Sequence, residues 1–207
     1  MTRSKRLFDI LLALVLMVLL APVVVIVAGL ILWRDGAPVF HVSERMKDVK
    51  TPFNLVKFRT MRVVAADSGV SGGDKAARIT PVGAVLRRTR LDEVPQLWNI
   101  LKGDMSFVGP RPPLRQYVER FPDLYGAVLK SRTGVTGLAT LVYHAHEERL
   151  LAACRTAEET DRVYAECCVP RKAKLDLMYQ SRQSVCWDAR LLIETVVGRF
   201  ASSKTRN

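Results

Sequence analysis

Residues 10–33, ILLALVLMVLLAPVVVIVAGLILW, decide the fold, because they form an unbroken run of 24 residues without one charged side chain. A straight helix of that length measures about 36 Å, enough to cross the roughly 30 Å hydrocarbon core of a bilayer. A secretory signal has a shorter apolar core and a small-residue cleavage site, and this run has neither. The sequence therefore predicts a membrane anchor that stays attached to the chain.

The anchor has two features that argue against a simple crossing. Pro22 lies near its centre and favours a kink, because proline lacks the N–H and its ring clashes with the preceding turn. Each half is then about 17 Å long, close to half the core thickness. Basic residues flank both ends, so both prefer the cytoplasm: Arg3, Lys5 and Arg6 before the run, and Arg34, Arg45, Lys47 and Lys50 after it. Lipid-phase helices also tolerate proline, so the residues alone leave open a re-entrant and a spanning helix.

The whole chain is strongly basic, with a formal net charge of +12 in 207 residues. Such a surface favours polyanions, namely nucleic acid, anionic lipid headgroups or phosphorylated substrates, and the apolar run favours lipid. Its length predicts one domain beside the anchor. The cysteines form no CxxC pair and have no histidine at metal spacing, which argues against a zinc site and indicates free thiols: Cys154, Cys167, Cys168 and Cys186.

The soluble part predicts an α+β fold that is mostly helical, with short strands. Strands are expected at 39–42 and 53–58, a flexible loop at 65–75, and helices after Thr80, after Pro95, at 114–121 and within 147–166. An apolar stripe near the end is either a core face or an interfacial helix, and it comprises Trp187, Leu191, Leu192, Val196 and Phe200. We divide the chain into an anchor (1–36), a catalytic domain (37–200) and a flexible tail (201–207).

Asp92 and Glu93 are the strongest candidates for chemistry. Pro95 follows them closely, so a helix beginning near Asp92 would place both carboxylates at its positive end and keep them ionised. An ionised aspartate can attack an electrophilic phosphorus or bind Mg²⁺. An isolated Asp-Glu pair is more often a helix-capping Asp beside a solvent-facing Glu. A catalytic role for Asp92 and Glu93 therefore depends on the surrounding motifs.

Those motifs are basic and suit phosphate oxygens. Lys57 and Arg59 alternate at a strand end and would face the same side. Residues 109–113, GPRPP, form a rigid loop that could hold Arg111 in place. As isolated features, Lys57 and Arg59 more often form solvated surface and 109–113 a structural turn, so the assignment depends on the motifs together. The candidate phosphate contacts are Lys57, Arg59, Arg87, Arg88 and Arg111. His144 and His146 alternate without a third metal ligand, so surface positions are the simpler interpretation.

Together these motifs resemble the bacterial sugar transferases called small monotopic phosphoglycosyl transferases. The matching segments follow the family's order over most of the chain: 57–61 (KFRTM), 80–83 (TPVG), 86–88 (LRR), 91–99 (LDEVPQLWN) and 103–112 (GDMSFVGPRP). Weaker matches are 134–138 (GVTGL) and 174–176 (KLD) with Tyr179. Departures include Ala21, where the family usually has Ser before the kink Pro, and Ser43, Lys47 and Thr133 in place of Gln, Gly and Pro.

The resemblance implies a reaction and a place for it. The family transfers a phospho-sugar from a UDP-sugar to a polyprenol phosphate (undecaprenyl phosphate) and releases UMP, the first membrane step of bacterial polysaccharide, exopolysaccharide or glycoprotein assembly. By this resemblance Asp92 forms a covalent phospho-sugar intermediate, Glu93 assists, and Mg²⁺ binds at Asp92. A re-entrant helix kinked at Pro22 would hold the catalytic domain on the cytoplasmic face of the inner membrane. A homodimer is compatible with it, and no nucleic acid partner is expected.

Two other classes of function compete with this enzyme. A non-catalytic membrane scaffold of a glycan-assembly complex would explain the anchor and the basic surface, but not the intact dyad. An anchored nucleic-acid binder rests on net charge alone, since the sequence has no aromatic-basic repeat or zinc motif.

Overall fold

The computed structural model describes residues 2–64, 69–70 and 72–204, with side chains up to residue 197. A long apolar helix, α1 (Arg3–Asp35), opens the chain. Thr2 caps it by accepting a hydrogen bond from the Lys5 amide at 3.2 Å, and Gly36 with φ of 75° ends it. Pro22 lies inside one continuous helical segment. The kink at Pro22 therefore stays a prediction, whereas the membrane-length apolar helix is confirmed.

Both ends of α1 are bound to the same domain. At the beginning, the Lys5 ammonium lies in the interior and donates to the carbonyl oxygen of Val108 at 3.1 Å. Arg6 donates to the carbonyl oxygens of Ile100 and Leu101 at 2.6 and 2.8 Å. At the far end, the Asp35 carboxylate accepts from the Thr80 hydroxyl at 2.8 Å. The middle of the helix is exposed and apolar, as in Val18 (76%), Leu19 (64%) and Val25 (71%).

A β-hairpin follows the anchor. Strands β1 (Phe40–Met46) and β2 (Pro52–Phe58) pair antiparallel, with Phe40 opposite Phe58 and Met46 opposite Pro52. The Asp48 carboxylate forms the turn by accepting from the amides of Lys50 and Thr51, both at 2.8 Å. The predicted strands are confirmed, and the first is longer at its C-terminal end than 39–42 because the pairing continues to the turn.

Helices α2 (Pro81–Thr89) and α3 (Gln96–Lys102) lie between the hairpin and α1. Thr80 caps α2 by accepting from the Gly83 amide at 2.9 Å, as the sequence predicted. Gly103 ends α3 in the left-handed conformation, φ 88°, which only glycine adopts without steric cost. Asn99 binds α3 to β2, since its side chain accepts from the Val56 amide and donates to the Asn54 carbonyl.

The second half of the chain is helical apart from one short parallel pair, β3 (Ser106–Val108) with β4 (Gly134–Thr136). Its helices are α4 (Arg115–Arg120), α5 (Pro122–Val128), α6 (Leu138–Ala152), α7 (Ala157–Val163), α8 (Val169–Ser181) and α9 (Val185–Lys204). A π-helical turn, Tyr164–Cys168, joins α7 to α8. The fold is therefore mostly helical with short strands, as expected.

Apolar packing divides into three clusters, and α1 contributes to two of them. Its first half packs with α3, β3 and α9 around Ile100 and Leu191, and its second half packs with α2 and β2 around Ile31 and Phe58. A third cluster joins α4 to α8 around Tyr117. Since α1 fills part of two cores, the anchor is a structural component of the domain.

The C-terminal region differs from the expectation in two ways. Helix α9 extends to Lys204, so the boundary placed at residue 201 lies within a helix, and 205–207 lie outside the described residues. Leu191 of the apolar stripe is buried in the core and Val196 is 55% exposed, so contact of the stripe with a membrane stays a prediction. The side chain of Phe200 lies outside the described residues. The loop at 65–75 ends in a 3-10 turn, Gly73–Arg78, and 65–68 and 71 are outside the described residues. All four cysteines are free, as predicted.

Candidate active site

Asp92 and Glu93 lie in a 3-10 turn, Leu91–Glu93, between α2 and α3. The helix that follows begins at Gln96 with Pro95 as its N-cap, so the carboxylates precede the helix instead of occupying its first turn. Both side chains are nonetheless buried, with 8% and 6% of their surface exposed. Their ionisation is therefore governed by burial and neighbouring charges more than by the helix dipole.

Glu93 is surrounded by cations. Its Oε1 accepts from the Lys57 ammonium at 3.1 Å, from Arg111 at 3.0 Å and from Arg90 at 3.4 Å. Burial alone would raise the pKa of Glu93, but these three positive charges outweigh it and hold the pKa well below the ordinary glutamate range. Glu93 is therefore a fixed anion that holds three cations around the turn.

Asp92 has the opposite environment. Burial, followed by repulsion from Glu93, raises the pKa of Asp92, and the charges of Lys57, Arg90 and Arg87 only partly oppose that rise. Its Oδ1 atom is buried and forms no hydrogen bond with any described residue. A buried oxygen without a partner is costly, which makes this atom the best candidate for contact with a substrate or a metal ion.

Three of the five predicted phosphate contacts converge on this turn. Lys57 and Arg111 bind Glu93, and burial followed by repulsion from Arg111 lowers the pKa of Lys57 to about 8. Arg87 donates to the Thr60 hydroxyl at 2.9 Å, and its charge acts on Asp92. These side chains form a cationic rim around the dyad.

The other two predicted contacts lie elsewhere. Arg59 donates to the carbonyl oxygens of Asp35 and Gly36 at 2.9 and 2.5 Å, so it binds the end of α1. Arg88 is exposed on α2. Conversely, the predicted set did not include Arg90, which reaches Glu93 from a left-handed backbone position with φ of 59°. The sequence feature that could have identified Arg90 is its place in the basic run 87–90.

Asp92, His144 and His146 are the positions that bear on a metal site. Among the described residues no three His, Cys, Asp or Glu side chains gather in a metal-binding group. His144 pairs with Glu148 at 3.3 Å, and the His146 ring packs on Tyr143. Mg²⁺ is commonly held by one or two carboxylates together with substrate phosphates, and Asp92 with its unpartnered oxygen fits that donor set.

Two cavities lie near the site, one polar and lined by Arg111, the other apolar and lined by Val94 and Pro95. A small polar cavity of about 20 Å³ lies beside Arg111, between α5 and α8. The apolar cavity, of about 440 Å³, lies between the middle of α1 and the hairpin, and it reaches Val94 and Pro95 immediately after the dyad. Its other lining residues are apolar: Met17, Leu20, Ala21, Val24, Val25, Phe40, Val56, Leu97 and Trp98.

Comparison with known proteins identifies relatives of this architecture. A family model described as bacterial sugar transferase matches residues 1–202. The exopolysaccharide production protein ExoY of Sinorhizobium fredii is 35% identical over 159 residues, covering 65% of this chain and 67% of the relative.

Two longer relatives have names that state a reaction. The UDP-N-acetylgalactosamine-undecaprenyl-phosphate N-acetylgalactosaminephosphotransferase of Aeromonas hydrophila is 36% identical over 145 residues, covering 67% of this chain and 34% of the relative. The UDP-glucose:undecaprenyl-phosphate glucose-1-phosphate transferase of Klebsiella pneumoniae is 34% identical over 164 residues, covering 77% of this chain and 35% of the relative. The chain thus spans about two thirds of the shorter relatives and about a third of the longer ones.

Proposed function

The chain belongs to the bacterial sugar transferase family, and we propose that it transfers a phospho-sugar from a UDP-sugar to a polyprenol phosphate, releasing UMP. The observation that carries the proposal is the unpartnered, buried Oδ1 of Asp92 inside a rim of cations. The names of the two longer relatives, which state a UDP-sugar donor and undecaprenyl phosphate, support the same substrates here.

In the first step the Asp92 carboxylate attacks the β-phosphorus of the donor. A new bond forms between the carboxylate oxygen and phosphorus, the bond from phosphorus to the bridging oxygen breaks, and UMP leaves with that electron pair. Lys57, Arg87 and Arg111 bind the phosphate oxygens as negative charge moves to the leaving group. Glu93 holds Lys57, Arg90 and Arg111 in position throughout.

In the second step a phosphate oxygen of the polyprenol phosphate attacks the same phosphorus and frees Asp92. The product is a polyprenol diphosphate sugar. The acceptor phosphate is itself the nucleophile, so no side chain has to remove a proton from an alcohol. Bound at the Asp92 oxygen and the donor phosphates, Mg²⁺ would supply neutralising positive charge to the diphosphate.

The apolar cavity fits the lipid part of the acceptor. It begins at Val94, beside the dyad, and runs along α1, whose exposed surface is suited to lipid. An isoprenoid chain lying there would present its phosphate to Asp92 at the level of the headgroups. This arrangement would bring a lipid-soluble and a water-soluble substrate to one carboxylate.

A re-entrant α1 on the cytoplasmic face of the bacterial inner membrane completes the proposal. Contacts at both ends support it, because Arg6 and Asp35 each hydrogen-bond to the same domain. A spanning helix would separate its ends by the thickness of the membrane, which one small domain cannot bridge from one side. The charge of +12 also suits an anionic cytoplasmic leaflet.

UMP release tests the function. Protein in nanodiscs is given a panel of UDP-sugars, polyprenol phosphate and Mg²⁺, with Asp92→Asn and Asp48→Asn compared in parallel. Asp92→Asn should remove release, because an amide is a poor nucleophile, and Asp48→Asn in the hairpin turn should retain it. No release from any donor by the wild type would favour the scaffold function.

A further inference from the structure

The polar cavity beside Arg111 contains an ionisable group that the proposed reaction leaves unused. Its charged and aromatic lining residues are Arg111, Tyr125, Tyr164, Lys172 and Asp176. At about 20 Å³ it has room for one small polar group, such as a hydroxyl or the edge of a larger ring that enters from the site. Segment 174–176 resembles the family only weakly, so Asp176 was not predicted from sequence as a site residue.

Most polar neighbours in this cavity already have partners. The Lys172 ammonium donates to both carboxylate oxygens of Glu147, at 2.9 and 3.1 Å, and to the Tyr164 hydroxyl at 3.3 Å. Arg111 is engaged by Glu93 at 3.0 Å on the side of the dyad. The cations of the cavity are therefore fixed in place before any ligand enters.

Asp176 differs from these cations, and the neighbouring Tyr125 hydroxyl likewise has no hydrogen-bond partner among the described residues. Only 6% of its surface is exposed, and no described residue hydrogen-bonds to it. Burial raises the pKa of Asp176 to about 7, although the charge of Lys172 acts in the opposite direction. A carboxyl group buried without a hydrogen bond destabilises the fold, so its presence at a cavity wall indicates an incoming hydrogen-bond donor.

Arg111 connects this carboxyl group to the reaction site. Arg111 lines the cavity and its guanidinium contacts Glu93, so a ligand whose phosphates lie at the dyad can extend past Arg111 toward Asp176. The extending part must offer an N–H or O–H to Asp176 and acceptors to the neighbouring cations. In a UDP-sugar, the uracil imide and the sugar hydroxyls have this chemistry.

We propose that the Asp176 cavity is a donor subsite, in which Asp176 accepts a hydrogen bond from the uracil imide N–H or from a sugar hydroxyl and so determines specificity. This inference rests on the proposed function. It assigns to one side chain a part in choosing the nucleotide-sugar, separate from the phosphorus chemistry at Asp92.

The test compares Asp176→Asn with the wild type as full chains in nanodiscs. Because the amide replaces one acceptor oxygen with a donor and removes the negative charge, the KM for the UDP-sugar should rise at least about tenfold, with a smaller change in kcat. Asp123→Asn, at an exposed position on α5, should leave both constants unchanged. If Asp176→Asn fails to fold, Asp176→Leu provides a second variant that removes the acceptor.

UMP and CMP distinguish the two sources of the hydrogen bond. If uracil enters the cavity, Asp176→Asn weakens UMP inhibition about tenfold and reduces the preference for UMP over CMP, which lacks the imide N–H. If the sugar enters, UMP inhibition is unchanged and the ratio of KM values between epimeric UDP-sugars changes. Unchanged KM for every donor with unchanged UMP inhibition would overturn the subsite.

Thermal shifts induced by UDP-sugar and UMP measure binding without turnover. They separate failure of this inference from failure of the proposed function. A wild type that binds UDP-sugar but releases no UMP would contradict the function alone. Equal UDP-sugar shifts in the wild type and Asp176→Asn would contradict the subsite even if the enzyme turns over.

Discussion

At the scale of single residues, neighbouring charges separate two similar carboxyl groups. Glu93 is held ionised by three cations, whereas Asp92 is left with a buried oxygen that forms no hydrogen bond with any described residue. Enzymes commonly separate the roles of two acids by giving them different environments. The pair thus combines a fixed anion, which organises the cations, with a carboxylate that is free to react.

Lys57 should set an upper pH limit for catalysis. The pKa of Lys57 is lowered to about 8, so the free enzyme loses this positive charge above that pH. We expect kcat/KM, which reports on the free enzyme, to decrease with an apparent pKa near 8. Lys57→Arg should shift that limit upward, since arginine stays protonated, and Lys102→Arg, at a 56% exposed side chain, should not.

The lowered pKa of Lys57 also makes the stability of the fold depend on pH, and stability increases with pH where activity decreases. Because Lys57 binds its proton more weakly in the folded protein, the unfolded chain binds more protons between about pH 8 and its reference value near 10.4. Its contribution to the free energy of unfolding therefore increases with pH in that window.

An activity profile without a limit near pH 8 would contradict the position assigned to Lys57.

Sequence alone predicted that Lys57, Arg87 and Arg111 lie near Asp92 and Glu93, but not the geometry of every arginine. Arg59 lies one residue beyond the end of β2, where alternation no longer holds, and the last carbonyls of α1 bind it. Arg90 depends on a left-handed backbone conformation that composition does not predict. Asp176 depends on the packing of α5 against α8, which involves residues distant in sequence.

At the scale of elements, a buried ionic network attaches α1 to α9. The Lys5 ammonium contacts Asp188 of α9, and the Tyr179 hydroxyl donates to the same carboxylate at 2.6 Å. The carbonyl of Val108, three residues before Arg111, accepts from Lys5 at 3.1 Å. The network therefore lies directly behind the loop that carries one of the site's cations.

Lys5→Met should strongly destabilise the protein. It leaves the Asp188 carboxylate buried without its cation, which typically costs about 4 kcal/mol, and thermal unfolding in detergent should show a clearly lowered apparent Tm. The double variant Lys5→Met/Asp188→Leu should recover part of the loss, because Asp188 no longer leaves an unpaired charge, while the buried Asp9 still lacks the Lys5 cation. Arg190→Met, at the exposed pair with Glu194, should leave the Tm unchanged.

A Lys5→Met variant with the wild-type Tm would contradict the importance of this network. So would a double variant that is no more stable than Lys5→Met. The pairing could not be predicted from sequence, because Lys5 is typical of the positive flank of an apolar run and its partner follows 183 residues later.

At the scale of the whole molecule, the topology of α1 can be tested with cysteine labels. Ser4→Cys and Arg34→Cys lie at exposed positions before and after the apolar run, in a background where the exposed Cys167 and Cys186 are replaced by serine. Ser4 is preferable to Arg6, whose side chain binds α3. We expect a membrane-impermeant thiol reagent to reach both labels from the cytoplasmic side only.

Labelling from opposite sides would contradict the re-entrant helix. It would also conflict with contacts of both helix ends to one domain. Sequence could predict the length, the hydrophobicity and the balanced flanking charge of α1, and these left two topologies open. Only tertiary contacts, at Arg6 and at Asp35, favour one of them, because they join residues whose separation depends on the path of the helix.

The exposed middle of α1 has a mechanical consequence for the bilayer. On the proposed topology the helix occupies one leaflet, so each molecule enlarges the area of that leaflet without enlarging the other. An excess of area on one side favours bending, and a bilayer that already bulges toward the protein accommodates the helix with less lateral compression. Insertion should therefore be easier in small, strongly curved vesicles than in large vesicles of low curvature. A high density of copies should itself bend the bilayer.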